Sequence, residues 1–216
     1  MDTDFARQQM VEQQVRAWVV LDPHVLQVLM EIPREQFVPT GYESLAFADT
    51  EIPIGHGQSM MTPTLEGRVL QALKPAAGES VLEVGTGTGF VTACLAKLAG
   101  PVTSIDIYED FLDTARANIE DSGLGDVELL HMDAMEALPE GTFDVIAVTG
   151  SIETFDPRLV EALVPGGRLF VVVGAGPAMD ARLVTRTGDN EWGSESLFET
   201  TLAPLVNGVE PPQFSF

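Results

Sequence analysis

The sequence has little cysteine, little lysine and no long apolar run. Cys94 is the one cysteine in 216 residues, which excludes an internal disulfide and a multi-cysteine zinc site. No apolar stretch reaches the ~20 residues that a membrane-spanning helix needs, and the acidic start of the chain does not resemble a signal peptide. We therefore expect no membrane partner, no metal ion and a reduced, cytoplasmic compartment.

Basic residues are also scarce. Eleven Lys and Arg stand against 33 Asp and Glu, which gives a formal net charge of −22. A field of this sign repels phosphate backbones, so we expect no nucleic-acid partner. The acidic residues are spread along the chain, which indicates a solvated surface, of a kind that also suits high salt, and not an acidic binding tail.

The apolar content is that of a folded protein. Residues of the hydrophobic types make up 45% of the chain, enough for one domain with a substantial core. In residues 1–75 the patterns predict a helix over 5–19, a helix capped by Asp22 with Pro23 at its first position, a loop over 42–61, and a helix that starts at Thr62-Pro63. We interpret this part as an N-terminal helical extension that ends in an active-site loop.

Residues 76–216 show short apolar runs that alternate with helical segments. The runs predict strands over 80–84, 102–107, 127–131, 143–148 and 168–173, and one or two closing strands within 181–205. A helix over 157–163 is predicted between the last two runs. Alternation of this kind predicts an α/β fold with a doubly wound, mainly parallel sheet of the Rossmann-like type. We expect residues 1–216 to form one domain.

A glycine-rich turn follows the first predicted strand in Val81-Leu-Glu-Val-Gly-Thr-Gly-Thr-Gly-Phe90. Such a turn brings the backbone close to a ligand. The dinucleotide fingerprint requires a small residue where Phe90 stands. Glu83, two residues before the first glycine, would repel a pyrophosphate but suits a cationic sulfonium or ammonium. The turn therefore favours S-adenosylmethionine over a dinucleotide.

Two further acids follow the next strands. Asp106 ends the second predicted strand, where a carboxylate can accept hydrogen bonds from ribose hydroxyls, and Asp133 follows the third, where it can bind an adenine amino group. Ligands of open α/β sheets bind at the carboxyl ends of strands. We therefore predict a methyltransferase cofactor site with these contacts: Glu83, Gly85, Thr86, Gly87, Asp106, Ile107, Asp133 and Ala134.

Beyond this pattern, residues 10–205 resemble the protein-L-isoaspartate O-methyltransferase family. The resemblance rests on these segments: Met10-Val-Glu-Gln-Gln-Val-Arg16, Asp22-Pro-His-Val-Leu26, Ile32-Pro-Arg-Glu-Gln-Phe-Val-Pro39, Ile52-Pro-Ile-Gly-His-Gly-Gln58, Val148-Thr-Gly150 and Leu163-Val-Pro-Gly-Gly-Arg-Leu-Phe-Val-Val-Val-Gly174. It implies the use of S-adenosyl-L-methionine and methylation of the α-carboxylate of isoaspartyl residues in damaged proteins. The methyl ester then cyclises to a succinimide, which is a repair step.

One position departs from the family. Its loop continues Gly-Gln-Thr-Ile-Ser, with the serine beside the substrate carboxylate, whereas this chain has Met61 at the place of that serine. Ser59 and Thr62 are hydroxyls that could replace it after a small shift of the loop, so Ser59, Met61 and Thr62 are the candidate catalytic positions. Of the other candidates, we interpret His56 as structural or solvated, Cys94 as a core residue, and Arg16, Arg34 and Arg168 as ion-pair residues.

Two alternatives stay open. Both are alternatives to the isoaspartyl enzyme. One is a diverged enzyme that methylates another protein site or a small molecule. The other is a non-catalytic module that binds S-adenosylmethionine. A binding measurement combined with a turnover assay separates them, because a sensor binds the donor without transferring its methyl group.

Overall fold

The computed structural model describes residues 3–124 and 127–208. The α-helices are α1 (Thr3–Gln9), α2 (Pro23–Glu31), α3 (Pro63–Leu73), α4 (Phe90–Ala99), α5 (Glu109–Asp121) and α6 (Arg158–Glu161). The strands are β1 (Ile52–Gly55), β2 (Gln58–Met60), β3 (Val81–Val84), β4 (Val102–Asp106), β5 (Val127–His131), β6 (Phe143–Ile152), β7 (Leu163–Val173), β8 (Met179–Gly188) and β9 (Glu191–Thr200).

Seven strands form one sheet in the order β5-β4-β3-β6-β7-β8-β9. The pairs from β5 to β7 are parallel, and β8 and β9 are added as antiparallel strands. This confirms the predicted doubly wound, mainly parallel fold. The strand order reverses at β3, since β4 and β5 lie on one side of it and β6 and β7 on the other. A sheet of this topology has a crevice at the carboxyl ends of these strands.

The N-terminal extension is helical, as predicted. The segment 3–18 continues from α1 through a π-helical stretch, Met10–Val15, and a 3₁₀ turn, Arg16–Trp18. Asp22 caps α2 by accepting the backbone N–H groups of His24 and Val25. Buried side chains of the extension, such as those of Met10 and Leu29, belong to one apolar cluster with sheet residues such as Phe170. The extension is thus packed directly onto the sheet.

The predicted loop over 42–61 is wrong in its second half, because β1 and β2 form an antiparallel hairpin there. The turn of the hairpin has three residues with positive φ: Gly55 at +112°, His56 at +51° and Gly57 at +74°. The two strands have four and three residues. Segments this short carry too few alternating positions to be recognised as strands.

Two boundaries around β7 also differ from the prediction. The helix expected over 157–163 has four residues, Arg158–Glu161, and β7 starts at Leu163 instead of 168. Pairing with β6 shifts from Phe143↔Leu163 to Val145↔Arg168, so an irregular stretch absorbs Pro165-Gly166-Gly167. Proline has no N–H to donate to a ladder, which is why this sequence predicts a turn and not a strand. Within the described ranges no helix combines the length and apolar character needed to cross a membrane.

Candidate active site

The glycine-rich turn is packed too closely to accept side chains. Gly85, Gly87 and Gly89 have positive φ values of 99°, 53° and 87°. A Cβ on Gly85 would lie 2.4 Å from the Thr149 hydroxyl oxygen, and one on Gly89 would lie 2.9 Å from the Ala115 Cβ. Thr149 also donates a hydrogen bond of 2.7 Å to the Gly85 carbonyl. The turn is therefore held against β6 and α5, with its backbone open to the crevice.

A cleft opens beside this turn at the carboxyl ends of β3, β4, β5 and β6. Seven of the predicted site residues line it: Ser59, Gly85, Gly87, Asp106, Ile107, Asp133 and Ala134. The cleft also has lining residues that the sequence patterns did not single out, including Tyr108, Phe111, Met132, Met135, Thr149 and Leu205. The polar groups thus line a mostly apolar cleft, a combination typical of small-molecule sites.

Asp106 lies at the end of β4, and its carboxylate accepts hydrogen bonds from backbone N–H groups. One oxygen accepts the Gly87 N–H at 3.0 Å and the other accepts the Tyr108 N–H at 3.0 Å. Burial raises the pKa of this carboxyl, and the backbone hydrogen bonds oppose the rise. Each carboxylate oxygen has a second lone-pair site, so the group can still accept hydrogen bonds from a ligand.

Asp133 follows β5 and joins two segments of the chain. Its Oδ1 accepts the Met135 N–H at 2.8 Å, and its Oδ2 accepts the Asn207 side-chain amide at 2.7 Å. Leu205 and Val206 from the same C-terminal segment line the cleft. The carboxylate is therefore held in position by neutral donors and stays available to an amino group.

Glu83 and Thr86 do not line this cleft; they line an adjacent, smaller cavity. Glu83 is fully buried, and its Oε2 accepts hydrogen bonds from the hydroxyls of Thr92 and Ser104. Its Oε1 has no hydrogen-bond partner among the described residues. Burial raises the pKa of Glu83 to about 7. An unpaired buried carboxylate oxygen on a cavity wall is a receptor for a cationic group.

The two cavities meet along a shared wall. Both are lined by Ile54, Ser59, Gly85, Gly87 and Thr149. The hairpin β1–β2 supplies Ile54 and Ser59, and the glycine turn supplies the opposite side. The arrangement therefore places one space beside the acids Asp106 and Asp133 next to a second space beside Glu83.

The three candidate catalytic positions have different surroundings. Ser59 is on the shared wall, where its hydroxyl donates to Glu51 at 3.2 Å. Met61 is buried and lines the smaller cavity. Thr62 lines neither cavity; its hydroxyl caps α3 by accepting the Leu65 N–H at 3.3 Å. The geometry gives Thr62 a structural role, and it brings Ser59 and Met61 to the site.

Two of the three arginines form the ion pairs expected of them. Arg34 is buried and pairs with Glu66, and Arg168 pairs with Glu79. For Arg16 the expectation was wrong, since it has no acidic partner among the residues that the structure describes. Cys94 is buried in the apolar core, as predicted.

Comparison with known proteins identifies a family for the whole chain. The model of the family described as protein-L-isoaspartate(D-aspartate) O-methyltransferase matches residues 5–210. A protein-L-isoaspartate O-methyltransferase 1 of Rhodopseudomonas palustris is 37% identical over 209 residues, which are 94% of this chain and 85% of the relative. A protein-L-isoaspartate O-methyltransferase of Aeropyrum pernix is 35% identical, over 93% of this chain and 79% of the relative.

Solved structures agree on the fold. A beta-aspartate methyltransferase (PCMT) of Plasmodium falciparum, in complex with S-adenosyl-L-homocysteine, superposes with a TM-score of 0.79 at 19% identity and covers 95% of this chain and 98% of its own. At this identity the similarity shows the fold alone. With the family model matched across nearly the whole sequence, the chain belongs to the protein-L-isoaspartate(D-aspartate) O-methyltransferase family.

Proposed function

We propose that this protein is an S-adenosyl-L-methionine-dependent carboxyl O-methyltransferase that methylates isoaspartyl residues in damaged proteins. The observation that carries the proposal is the pair of adjacent cavities beside the glycine turn, in a chain whose family has this activity. One cavity offers carboxylates for a nucleoside, and the other offers a buried carboxylate for a cation. Residues 1–75 and 76–216 act as one unit in this proposal, because one apolar cluster includes side chains from both parts.

The residues of the site fit S-adenosylmethionine. Asp106 and Asp133 would hold the ribose and the adenine, and the tight turn at Gly85 and Gly87 would allow close approach of the backbone. The unpaired oxygen of Glu83 would face the charged amino-acid part of the cofactor. When bound, the cofactor supplies a methyl group on a cationic sulfur, which needs no metal ion to react with an oxygen nucleophile.

The protein itself contributes to the rate by positioning the acceptor and the methyl donor. The acceptor is a carboxylate that is already ionised at neutral pH, so no general base is needed. The hairpin residues Ile54 and Ser59 lie between the two cavities, where they can exclude water and align acceptor and donor. Correct alignment of two reactants is worth roughly 7–11 kcal/mol of barrier in the best cases.

A second candidate is favoured by Met61. Its buried thioether chain lies in the smaller cavity, where the family has a hydroxyl. An apolar wall at this place suits an acceptor other than the isoaspartyl carboxylate. The alternative is therefore a methyltransferase on the same scaffold with another protein or small-molecule acceptor.

The partner and compartment follow from charge and redox chemistry. A net charge of −22 argues against nucleic acid or an anionic membrane surface as the partner. A single buried cysteine fits a reducing cytoplasm.

The deciding experiment is methyl transfer from labelled S-adenosylmethionine to an isoaspartyl peptide, with the matching aspartyl peptide as control. We expect methylation of the isoaspartyl peptide alone. Donor binding without transfer to either peptide would reject the repair function, and methylation of a different acceptor would support the alternative. Binding without transfer to any acceptor would instead indicate a non-catalytic module.

A further inference from the structure

The hairpin β1–β2 is anchored at its base and exposed at its tip. Ile52 and Met60, which pair across the base, are both buried in the core. The tip residues Gly55, His56 and Gly57 are exposed, and within residues 3–124 and 127–208 the hairpin pairs with no other strand. A two-stranded hairpin is at best marginally stable by itself. The position of the tip therefore depends on contacts outside the hairpin.

His56 makes those contacts with the segment that follows β4. Its ring is stacked on the ring of Tyr108 with 3.9 Å between centroids and 10° between planes. Its Nε2 is hydrogen-bonded to Asp110 at 2.9 Å, and its edge meets Phe111 at 5.3 Å. The hydrogen bond with His56 lowers the pKa of Asp110, consistent with an attractive contact.

The backbone of His56 also indicates that these contacts matter. Its φ of +51° is a left-handed conformation that a non-glycine residue adopts at a cost. The neighbouring Gly55 and Gly57 adopt positive φ freely, whereas His56 does so at a modest cost that its side-chain contacts can offset. Its side chain is 41% exposed, so burial alone does not explain the placement.

The partners of His56 are walls of the larger cleft. Tyr108 and Phe111 line it, and the Tyr108 N–H donates to Asp106. A continuous set of contacts thus leads from Asp106, through Tyr108, to His56 at the hairpin tip. The same hairpin carries Ile54 and Ser59 on the wall that both cavities share.

We propose that His56 is a positioning residue that fastens the hairpin tip to Tyr108 and Asp110, so that the hairpin stays closed across the cleft and slows cofactor release. The inference rests on the proposed cofactor site. In this proposal His56 acts by holding the hairpin in place and does not contact the reacting atoms. Without this fastening, the tip would move away from the cleft while the buried base at Ile52 and Met60 stays in place.

The test is the dissociation rate of S-adenosylhomocysteine, measured by rapid mixing with excess unlabelled ligand. His56→Ala removes the stack and the hydrogen bond and should release the ligand about tenfold faster. His56→Phe keeps a stacking ring and should fall between this variant and the unmodified protein. His24→Ala, at an exposed histidine in the first turn of α2, is the matched control and should leave the rate unchanged.

Three results would overturn the inference. The first is a rate for His56→Ala within twofold of the unmodified protein. The second is an equal rise in His24→Ala, which would indicate general loosening of the fold. The third is a failure of the unmodified protein to bind S-adenosylhomocysteine, which would also reject the proposed function, whereas the first two leave that function untouched. Unchanged thermal unfolding midpoints in the variants, together with faster release from His56→Ala, would support the positioning role of His56 over a loss of fold.

Discussion

Arg34 and Glu66 form a buried, two-point ion pair directly behind Met61. The Arg34 Nε–H donates to Glu66 Oε2 at 2.9 Å and one Nη donates to Oε1 at 3.1 Å. The same Nη donates to the Met61 carbonyl at 2.8 Å, and the other Nη donates to the Ala46 carbonyl at 2.7 Å. One guanidinium thereby ties the end of the hairpin to α3, the helix that begins immediately after it.

Breaking this pair should be costly. Arg34→Met would leave the Glu66 carboxylate buried without its partner, and we expect a loss of about 3–5 kcal/mol in the free energy of unfolding. Urea denaturation measures it. Arg116→Met, which breaks the exposed pair with Asp113, is the control and should cost under about 1 kcal/mol. Equal losses in the two variants would contradict this interpretation of Arg34.

Glu83 should make the ligand-free protein less stable as pH rises. Its pKa is about 7 in the folded protein against an ordinary value of 4.5, so between these pH values the folded state holds more protons than the unfolded state. The free energy of unfolding therefore falls across this window, by about 3 kcal/mol in total. Glu83→Gln should remove the fall and be more stable than the unmodified protein at pH 8.

Urea denaturation at pH 5 and pH 8 checks this prediction. Glu120→Gln, at an exposed position of α5, serves as the matched control and should keep the slope of the unmodified protein. If the free energy of unfolding of Glu83→Gln falls between pH 5 and pH 8 as much as that of the unmodified protein, groups other than Glu83 cause the pH dependence.

Asp106→Ala should weaken cofactor binding. The variant removes the predicted ribose acceptor and also the carboxylate that organises Gly87 and Tyr108. We expect a loss of about 1–3 kcal/mol in binding free energy for S-adenosylhomocysteine, measured by calorimetry. Asp113→Ala, on the exposed face of α5, should bind normally. Unchanged affinity in Asp106→Ala would reject the assignment of Asp106.

Met61→Ser tests whether the acceptor is the isoaspartyl carboxylate or another group. If the protein is a repair enzyme, the new hydroxyl should hold the substrate carboxylate in line with the methyl group and raise isoaspartyl methylation. One well-aligned hydrogen bond to a charged group is worth roughly 1.5–3 kcal/mol, or about ten- to a hundredfold in rate when it forms only in the transition state.

The matched control is Met60→Ser, which makes the same change at the neighbouring buried residue. It should lower stability without raising the rate, because the family serine stands at the next position. No gain in Met61→Ser, with normal cofactor binding, would favour the alternative acceptor.

The fold and much of the cleft could be predicted because they depend on patterns along the chain. Asp106 and Asp133 follow parallel strands, and the carboxyl ends of such strands meet at one edge of a sheet. Gly85 and Gly87 lie where a tight turn is required. These four residues line the cleft as their positions in the sequence suggested.

Other features depend on contacts between distant segments. Glu83 lines the smaller cavity because Thr92 and Ser104, from two other elements, hold its carboxylate. Leu205 reaches the cleft because the chain returns past β6, where Ser151 and Leu205 are hydrogen-bonded. A single sequence shows none of these pairings. Thr149 lies within β6, directly after the predicted strand 143–148, so its place at that predicted strand end is a signal by which it could have been found.

The shared wall of the two cavities has a consequence for inhibitor chemistry. A single elongated molecule, with a nucleoside at one end and a cationic group at the other, would place the nucleoside beside Asp106 and Asp133 and the cation beside Glu83. Binding of the first end would hold the second at high effective concentration, so affinity would exceed that of either fragment alone.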